Sequence, residues 1–180
     1  MLAGHGTYYG FFSIHLENLG YGGTWIGAAW ALASTAEISV MLASEKLFRK
    51  ASLEKVLLVS FLAAAVRWLV LYFSEDLAVI LASQLLHAVT YGAFHMASIL
   101  YIDKLSPSGT KTSGQAVNNA MTYGLGLMVG FLLNGFLYEK LGSAPLFLVA
   151  AGAALAGGVL FTVGGKGVRS LFASKTEEGS

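Results

Sequence analysis

Two ionisable residues lie inside apolar stretches of the sequence, where a charge is costly. Glu37 and Arg67 each interrupt a long run of aliphatic and aromatic residues. If these runs cross a bilayer, a charge near its centre costs on the order of 3 kcal/mol, and arginine cannot escape that cost by losing its proton. Both side chains must therefore face a bundle interior or a wet cavity. The functional interpretation is a titratable pair that lines a pathway, and the structural alternative is an ion pair between neighbouring helices.

A later apolar segment carries polar residues along one side. The spacing i, i+3, i+7, i+11, i+14 describes one helix face and is occupied by Gln84, His87, Tyr91, His95 and Ser98. A polar face that runs through a membrane should not contact lipid, so this pattern predicts a cavity wall. Imidazole titrates near neutral pH, which suits His87 for proton exchange. The alternatives are a buried histidine bonded to a neighbour and, for Gln84, a hydrogen bond between helices.

Weaker candidates lie in two other segments. Asn119 could reach a cavity, whereas the nearby Gly126-x-x-x-Gly130 is more typical of helix packing than of function. The first segment has polar and aromatic residues along one side, which are His5, Tyr8, Phe12 and His15.

Enzymatic and metal-binding signatures are missing from the sequence. It contains no H-E-x-x-H or G-x-S-x-G motif, and it has no cysteine. His87 and His95 are two helical turns apart, too far for the usual i, i+4 chelation of one ion. We therefore expect no enzyme, no catalytic residue, no metal site and no cofactor.

The composition identifies the elements that must position these residues. The 180 residues are 56% hydrophobic and only 12% charged, whereas soluble domains are about 25% charged. Six segments are long and apolar enough to cross a bilayer, at about 2–19, 24–44, 53–73, 77–102, 115–138 and 144–163. The predicted fold is an all-α integral membrane bundle of six transmembrane helices over residues 1–165. A disordered cytoplasmic tail over 166–180 is expected to follow.

The basic residues predict the orientation of the bundle. Nine of the 11 lysines and arginines lie in alternate linkers and after the last segment, and the opposite linkers contain only Lys140. By the positive-inside rule, both termini are cytoplasmic and the protein spans the cell (inner) membrane several times. The net charge of +1 argues against a nucleic-acid partner.

The start of the chain suggests that a segment is missing upstream. An apolar segment begins almost at once, at Leu2, and the first basic residue is Lys46. The charged n-region of a signal peptide is therefore absent, and the polar lead-in common in membrane proteins is absent as well.

Five short motifs, in order along the chain, resemble the second half of a major facilitator superfamily transporter. The resemblance is greatest to the lactose-permease-like and phenylpropionate-permease-like proton symporters. The motifs are Ala36-Glu37-Ile38, Ser44-Glu45-Lys46-Leu47, Val66-Arg67-Trp68, Gln84-x-x-His87-x-x-Thr90-x-Gly92 and Leu137-Tyr138-Glu139-Lys140-Leu141-Gly142.

The resemblance implies a fold of twelve helices in two halves, with the solute site between them. Glu37, Arg67 and His87 match a glutamate, an arginine and a histidine that serve substrate binding and proton coupling in the lactose permease group. Gln84 and Thr90 replace a lysine and the proton-carrying glutamate of that group. This difference argues against lactose as the solute. Any coupling would fall to Glu37, His87 or an acid in the absent half.

The leading hypothesis is the C-terminal half of a secondary active transporter. It would be a proton-coupled symporter of a small polar organic solute, such as an aromatic acid, a sugar or a nucleoside. Its partners would be the solute, protons, the lipid bilayer and a missing N-terminal six-helix half. The alternative is a self-standing six-helix scaffold or assembly partner without transport, in which the polar face is a helix contact. An intramembrane enzyme would need a nucleophile–base pair, which the sequence does not suggest.

Overall fold

The computed structural model describes residues 1–49 and 51–177, and this part of the chain is a bundle of six helices without a strand. Five of the helices, α2 to α6, are long and apolar enough to cross a membrane, and α1 is shorter with 17 residues. The prediction of an all-α membrane bundle is confirmed. The helices are α1 (Leu2–Asn18), α2 (Gly23–Phe48), α3 (Leu53–Phe73), α4 (Leu77–Leu105), α5 (Lys111–Leu141) and α6 (Ala144–Glu177).

The last helix is longer than the predicted sixth span, which ends at residue 163. Because α6 continues to Glu177, it includes much of the stretch expected to be a disordered tail. Residues 178–180 of that predicted tail lie outside the described residues.

Local sequence signals set several helix ends. The side chain of Ser52 accepts a hydrogen bond from the backbone N–H of Lys55 at the start of α3. Asp76 does the same for the backbone N–H of Val79 at 3.0 Å at the start of α4. Both are N-caps that satisfy donors left free by the first helical turn. Gly142 ends α5 with a φ of 77°, a left-handed conformation that favours glycine.

Glycines allow α1 and α5 to pack closely. A Cβ atom added at Gly130 would lie 2.5 Å from the carbonyl oxygen of Ala3, and one added at Gly126 would lie 3.5 Å from the Cβ of Leu2. Real side chains do not tolerate the first of these distances. The Gly126-x-x-x-Gly130 motif is therefore a packing motif, as the sequence indicated.

One end of the bundle is tied together by His15, near the C-terminus of α1. Its Nε2 lies 3.1 Å from the carbonyl oxygen of Leu71 on α3, and its Nδ1 lies 3.0 Å from the hydroxyl of Ser143. Since a carbonyl only accepts, Nε2 donates and Nδ1 accepts from the serine. Asn18 donates a further bond to the same hydroxyl at 3.1 Å. These bonds link α1, α3 and the turn before α6.

The outer surface of the bundle is apolar. Leu42, Leu132 and Leu160 expose 83%, 68% and 72% of their surface, whereas the fully buried positions include the polar residues Arg67, Gln84 and His5. Large exposed apolar patches mark contact surfaces. This inverted distribution fits a bundle that lies in lipid.

Helices α4 and α5 each contain a wide, π-helical turn. In α4 the π-helical turn spans Ala88–Ala93, between the α-helical segments Leu77–Gln84 and Phe94–Leu105. In α5 the corresponding turn spans Ala120–Gly126. Such turns are rare and are frequent at functional sites. The turn in α4 packs between α2 and α3, so it lies at the centre of the polar residues predicted from the sequence.

Candidate functional site

Arg67 is the centre of the buried polar site. Its side chain is fully buried on α3 and points at α4. Its Nη2 donates to the Oε1 of Gln84 at 2.7 Å, and its Nη1 donates to the Nδ1 of His87 at 2.8 Å and, more weakly, to the hydroxyl of Thr90 at 3.4 Å. The guanidinium group has only donors, so all three partners must accept. The predicted polar face of α4 therefore meets the predicted intramembrane arginine.

Two aromatic rings cover the same guanidinium group. Its carbon lies 4.2 Å from the ring centre of Tyr8 and 4.9 Å from that of Trp68, within the range of cation–π attraction. The Tyr8 hydroxyl also donates to the Oε1 of Gln84 at 3.0 Å. The Nε2 of Gln84 donates to the carbonyl of Ile80 at 2.9 Å, which fixes the orientation of the amide. Gln84 therefore holds Arg67 and Tyr8 in place together, and Tyr8 in turn covers Arg67.

Glu37 joins the site through His87 and not through Arg67. The Oε2 of Glu37 lies 3.4 Å from the Nε2 of His87, and the Glu37 side chain is 22% exposed, against 4% for His87. Within the described residues, Glu37 and Arg67 form no direct ion pair. The imidazole lies between the two charges, an arrangement that neither interpretation of the pair from the sequence included. Gly92 allows this approach, because a Cβ added there would lie 3.2 Å from the carbonyl oxygen of Glu37.

The two contacts of His87 determine which nitrogen carries its proton. Nδ1 faces a guanidinium donor, so it must present a lone pair. The proton of a neutral ring is then on Nε2, which points at the carboxylate of Glu37. His87 is therefore arranged to donate its Nε2–H toward the carboxylate of Glu37 while Arg67 holds its other edge.

We expect nitrogen NMR of ¹⁵N-histidine-labelled protein to find His87 as the Nε2–H tautomer at neutral pH. The Arg67→Gln variant should weaken this preference, because its amide can act either as a donor or as an acceptor toward Nδ1, and only Glu37 still favours a proton on Nε2. His15, which is tied to a carbonyl far from Arg67, serves as the internal reference and should not change. An Nδ1–H signal for His87 in the unmodified protein would contradict the assigned contacts.

A ladder of stacked rings continues from His87 along α4. The ring of Tyr91 stacks on His87 at 5.2 Å with an interplanar angle of 14°, and His95 stacks on Tyr91 at 6.0 Å and 6°. His95 is hydrogen-bonded to the hydroxyl of Tyr123 in the π-helical turn of α5. The ladder connects the buried site with α5, which the sequence did not predict.

Of the remaining candidates from the sequence, His5 lies at the site, whereas His15 and Asn119 do not. His5 belongs to it, since its ring lies 5.9 Å from that of His87 and 5.7 Å from that of Tyr91. His15 belongs to the structural tie described above. Asn119 is exposed on α5 and has no hydrogen bond to the other candidates within the described residues.

Three buried polar atoms at the site have no hydrogen-bond partner among the described residues. They are the Nε of Arg67, the Nε1 of Trp68 and the Nε2 of His5. Leaving a buried donor or acceptor unpaired costs roughly 1–3 kcal/mol. The atoms belong to neighbouring groups, because the His5 and Trp68 rings lie 5.2 Å apart and Arg67 lies over Trp68. Two donors and one acceptor are therefore free for hydrogen bonds with a polar molecule.

Sequence reasoning missed three residues of the site. In the sequence, Tyr8 is only part of a polar side of α1, although its position three residues after His5 carries it to the same place. Thr90 stands out only as a replacement for an acid. Tyr123 gave no signal, since an isolated tyrosine in an apolar segment is ordinary. No group of three or more potential metal ligands occurs among the residues that the structure describes.

Comparison with known proteins places this chain in a family. Residues 1–149 match the model of the MFS_1 like family, within the major facilitator superfamily. The chain belongs to this family. It is a multi-pass membrane protein, and its relatives are transporters and not enzymes.

Three curated relatives show the range of names in this family. The protein named Probable 3-phenylpropionic acid transporter, from Escherichia coli (strain K12), is 32% identical over 146 residues, which are 81% of this chain and 38% of the relative. YegT of the same strain, provisionally named as a nucleoside transporter, is 30% identical over 61% of this chain and 27% of its own length. The maltose permease of Geobacillus stearothermophilus is 26% identical over 76% of this chain and 35% of its own length.

The chain therefore spans between 27% and 38% of the length of these relatives. No solved structure matches it at a comparable level of significance.

Proposed function

We propose that this chain is the C-terminal half of a secondary active transporter that couples the uptake of a small polar organic solute to protons. The observation that supports this most is the fully buried Arg67, held by three side chains of α4 and connected through His87 to a partly exposed carboxylate. A permanently charged group inside an apolar bundle is expensive and is typical of solute and proton pathways.

The proposed solute carries a polar or anionic group attached to a small organic body. Arg67 and the free donor of Trp68 suit an oxygen-rich or carboxylate group of that solute. An aromatic acid, a sugar or a nucleoside meets this description. The names of the three relatives fall in the same classes.

Transport would use a second six-helix half as the opposite wall of the pathway. We propose that both halves span the inner membrane, with both termini of this chain in the cytoplasm. Alternating access would then come from rocking of one half against the other around the solute.

The Glu37→Gln variant tests the role of the carboxylate. Since glutamine keeps the shape but cannot hold an exchangeable proton, we expect proton-driven accumulation to fall at least tenfold while exchange of labelled for unlabelled solute continues. The measurement is uptake of 3-phenylpropionate, a nucleoside and maltose into cells or vesicles containing both halves, with and without a proton gradient.

The matched control is Glu139→Gln, which changes an exposed glutamate at the end of α5 and should leave both activities unchanged. Normal accumulation by Glu37→Gln would show that this carboxylate does not couple protons to transport. Absence of uptake of every solute by the unmodified protein, together with a stable self-standing bundle, would favour the scaffold alternative.

A further inference from the structure

A groove on the outside of the bundle lies where α2, α3 and α4 meet. It has a volume of about 480 Å³ and is separate from the buried site. Its deeper part is apolar and its mouth contains the side chain of one lysine. The lining includes Leu47, Lys55, Val56, Val59, Val89 and Ala93.

The mouth of the groove lies in the most basic linker of the chain. Residues 45–55 include four basic residues and two acidic ones. Lys46 and Arg49 are exposed at the end of α2, and Lys55 is exposed in the first turn of α3. Within the described residues Lys55 forms no ion pair. By the distribution of basic residues, this linker lies at the cytoplasmic surface of the membrane.

We propose that the groove binds an anionic phospholipid of the cytoplasmic leaflet. The Lys55 ammonium would contact the phosphate, and an acyl chain would lie along Val56, Val59, Val89 and Ala93. The order of these groups matches the order of a lipid, since the charge is at the membrane surface and the apolar lining lies deeper. A soluble anion would gain nothing from the apolar part. In a zwitterionic lipid, the cation of the headgroup itself would offset the attraction between Lys55 and the phosphate.

A second groove on the same bundle lacks the charge and serves as a comparison. It lies between α3 and α6, has a volume of about 360 Å³ and is lined by Leu58, Phe61, Leu62, Leu155, Gly158 and Val159, together with Thr162. An acyl chain could lie there as well, but no cation is present in its lining to select a headgroup. The structure therefore predicts headgroup selectivity at one groove and not at the other.

The proposed lipid would contact the back of the functional site. Val89 and Ala93 belong to the π-helical turn of α4 that also carries Thr90. The lipid would therefore pack against the backbone segment whose other side faces Arg67. This inference is independent of the solute and of proton coupling.

Lipid selectivity can be measured because the chain has no cysteine. Val59→Cys, at a half-exposed position of the first groove, would carry a fluorophore in protein reconstituted into phosphatidylcholine vesicles. Quenching by a small fraction of acyl-nitroxide phosphatidylglycerol would be compared with quenching by the same fraction of acyl-nitroxide phosphatidylcholine. A basic residue near the surface favours anionic lipid by about fivefold, and we expect an enrichment of that size.

Two further variants make the result specific. Lys55→Gln in the Val59→Cys background should bring the ratio of the two lipids close to one, and a label at Val159→Cys in the second groove should give a ratio near one throughout. Leu47→Cys provides a second labelling site should Val59→Cys fold poorly. Equal quenching by the two lipids at the first groove, or a preference that survives Lys55→Gln, would overturn the proposal.

Discussion

Replacing Arg67 by alanine is expected to reduce solute uptake about a hundredfold and to lower the stability of the bundle. The substitution removes a charge together with its bonds to Gln84, His87 and Thr90. A hydrogen bond to a charged group contributes about 1.5–3 kcal/mol, and each 1.4 kcal/mol changes an equilibrium constant tenfold. The acceptors left behind are buried without their donor, which adds to the cost.

The Arg67→Lys variant separates the charge from the shape of the guanidinium group. Lysine keeps the positive charge but places it at one point, so it cannot donate to Gln84 and His87 in the same fixed geometry. We expect Arg67→Lys to recover part of the stability and little of the uptake. If the positive charge alone were required, Arg67→Lys would restore uptake as well as stability.

The measurements are initial uptake rates and the thermal midpoint of the purified protein in mild detergent. Lys111→Ala is the matched control, because its partner Asp103 lies 2.8 Å away and both side chains are nearly half exposed. Exposed pairs contribute about 0–1 kcal/mol, so this control should behave like the unmodified protein. Uptake by Arg67→Ala within twofold of the unmodified rate would remove Arg67 from the proposed pathway.

The second large effect is expected from Gly130→Ala, a change of one methyl group. The added Cβ would lie 2.5 Å from the carbonyl oxygen of Ala3 and 3.1 Å from that residue's Cα. Backbone atoms cannot rotate away, so α1 must shift as a unit and carry Tyr8 with it. Overpacking of this kind costs about 1–3 kcal/mol, which corresponds to a drop of roughly 3–10 °C in thermal midpoint for a protein of this size.

Gly135→Ala, on the same helix, is the control for that experiment. A Cβ at Gly135 would have no atom within 4 Å, and alanine is the better helix former by up to about 1 kcal/mol. We expect this variant to be as stable as the unmodified protein or slightly more stable. Equal midpoints for the two alanine variants would show that α1 and α5 do not pack as closely as described.

The architecture of the bundle was largely predictable because lipid imposes simple rules. Long apolar segments and the need to satisfy backbone groups internally lead to helices that are long enough to cross the bilayer. The predicted segments therefore coincide with α1 to α6, apart from differences of a few residues and the extension of α6. The position of Ser52 before α3 and of Gly142 after α5 shows that local capping signals survive in this environment.

Several residues of the candidate site can be singled out from the sequence, but their contacts with one another cannot. Glu37, Arg67 and His87 are recognisable one by one because polar groups are costly in apolar segments. That His87 lies between the two charges depends on how α2, α3 and α4 rotate against one another. Gly92 contributes to that rotation through its contact with the backbone of Glu37. A single glycine in an apolar segment does not reveal such a contact in the sequence.

Periodicity did not predict the local geometry within α4. An even α-helix predicts a single face through Gln84, His87, Tyr91 and His95. The tightened turn at Leu85 and Leu86 and the π-helical turn that follows change the local spacing. The rings of His87, Tyr91 and His95 nevertheless stack one on the next, and His95 is hydrogen-bonded to Tyr123 of α5.

The tie at His15 has a mechanical consequence for the whole bundle. It fastens α1, α3 and the start of α6 to one another at one end, through bonds at 3.0 and 3.1 Å. Further along the bundle, a Cβ added at Gly157 of α6 would lie 2.7 Å from the ring of Phe61 on α3, and one added at Gly4 of α1 would lie 3.3 Å from the carbonyl oxygen of Ala150. The three helices are thus held together over much of their length, and they would move as one rigid body in any rocking motion.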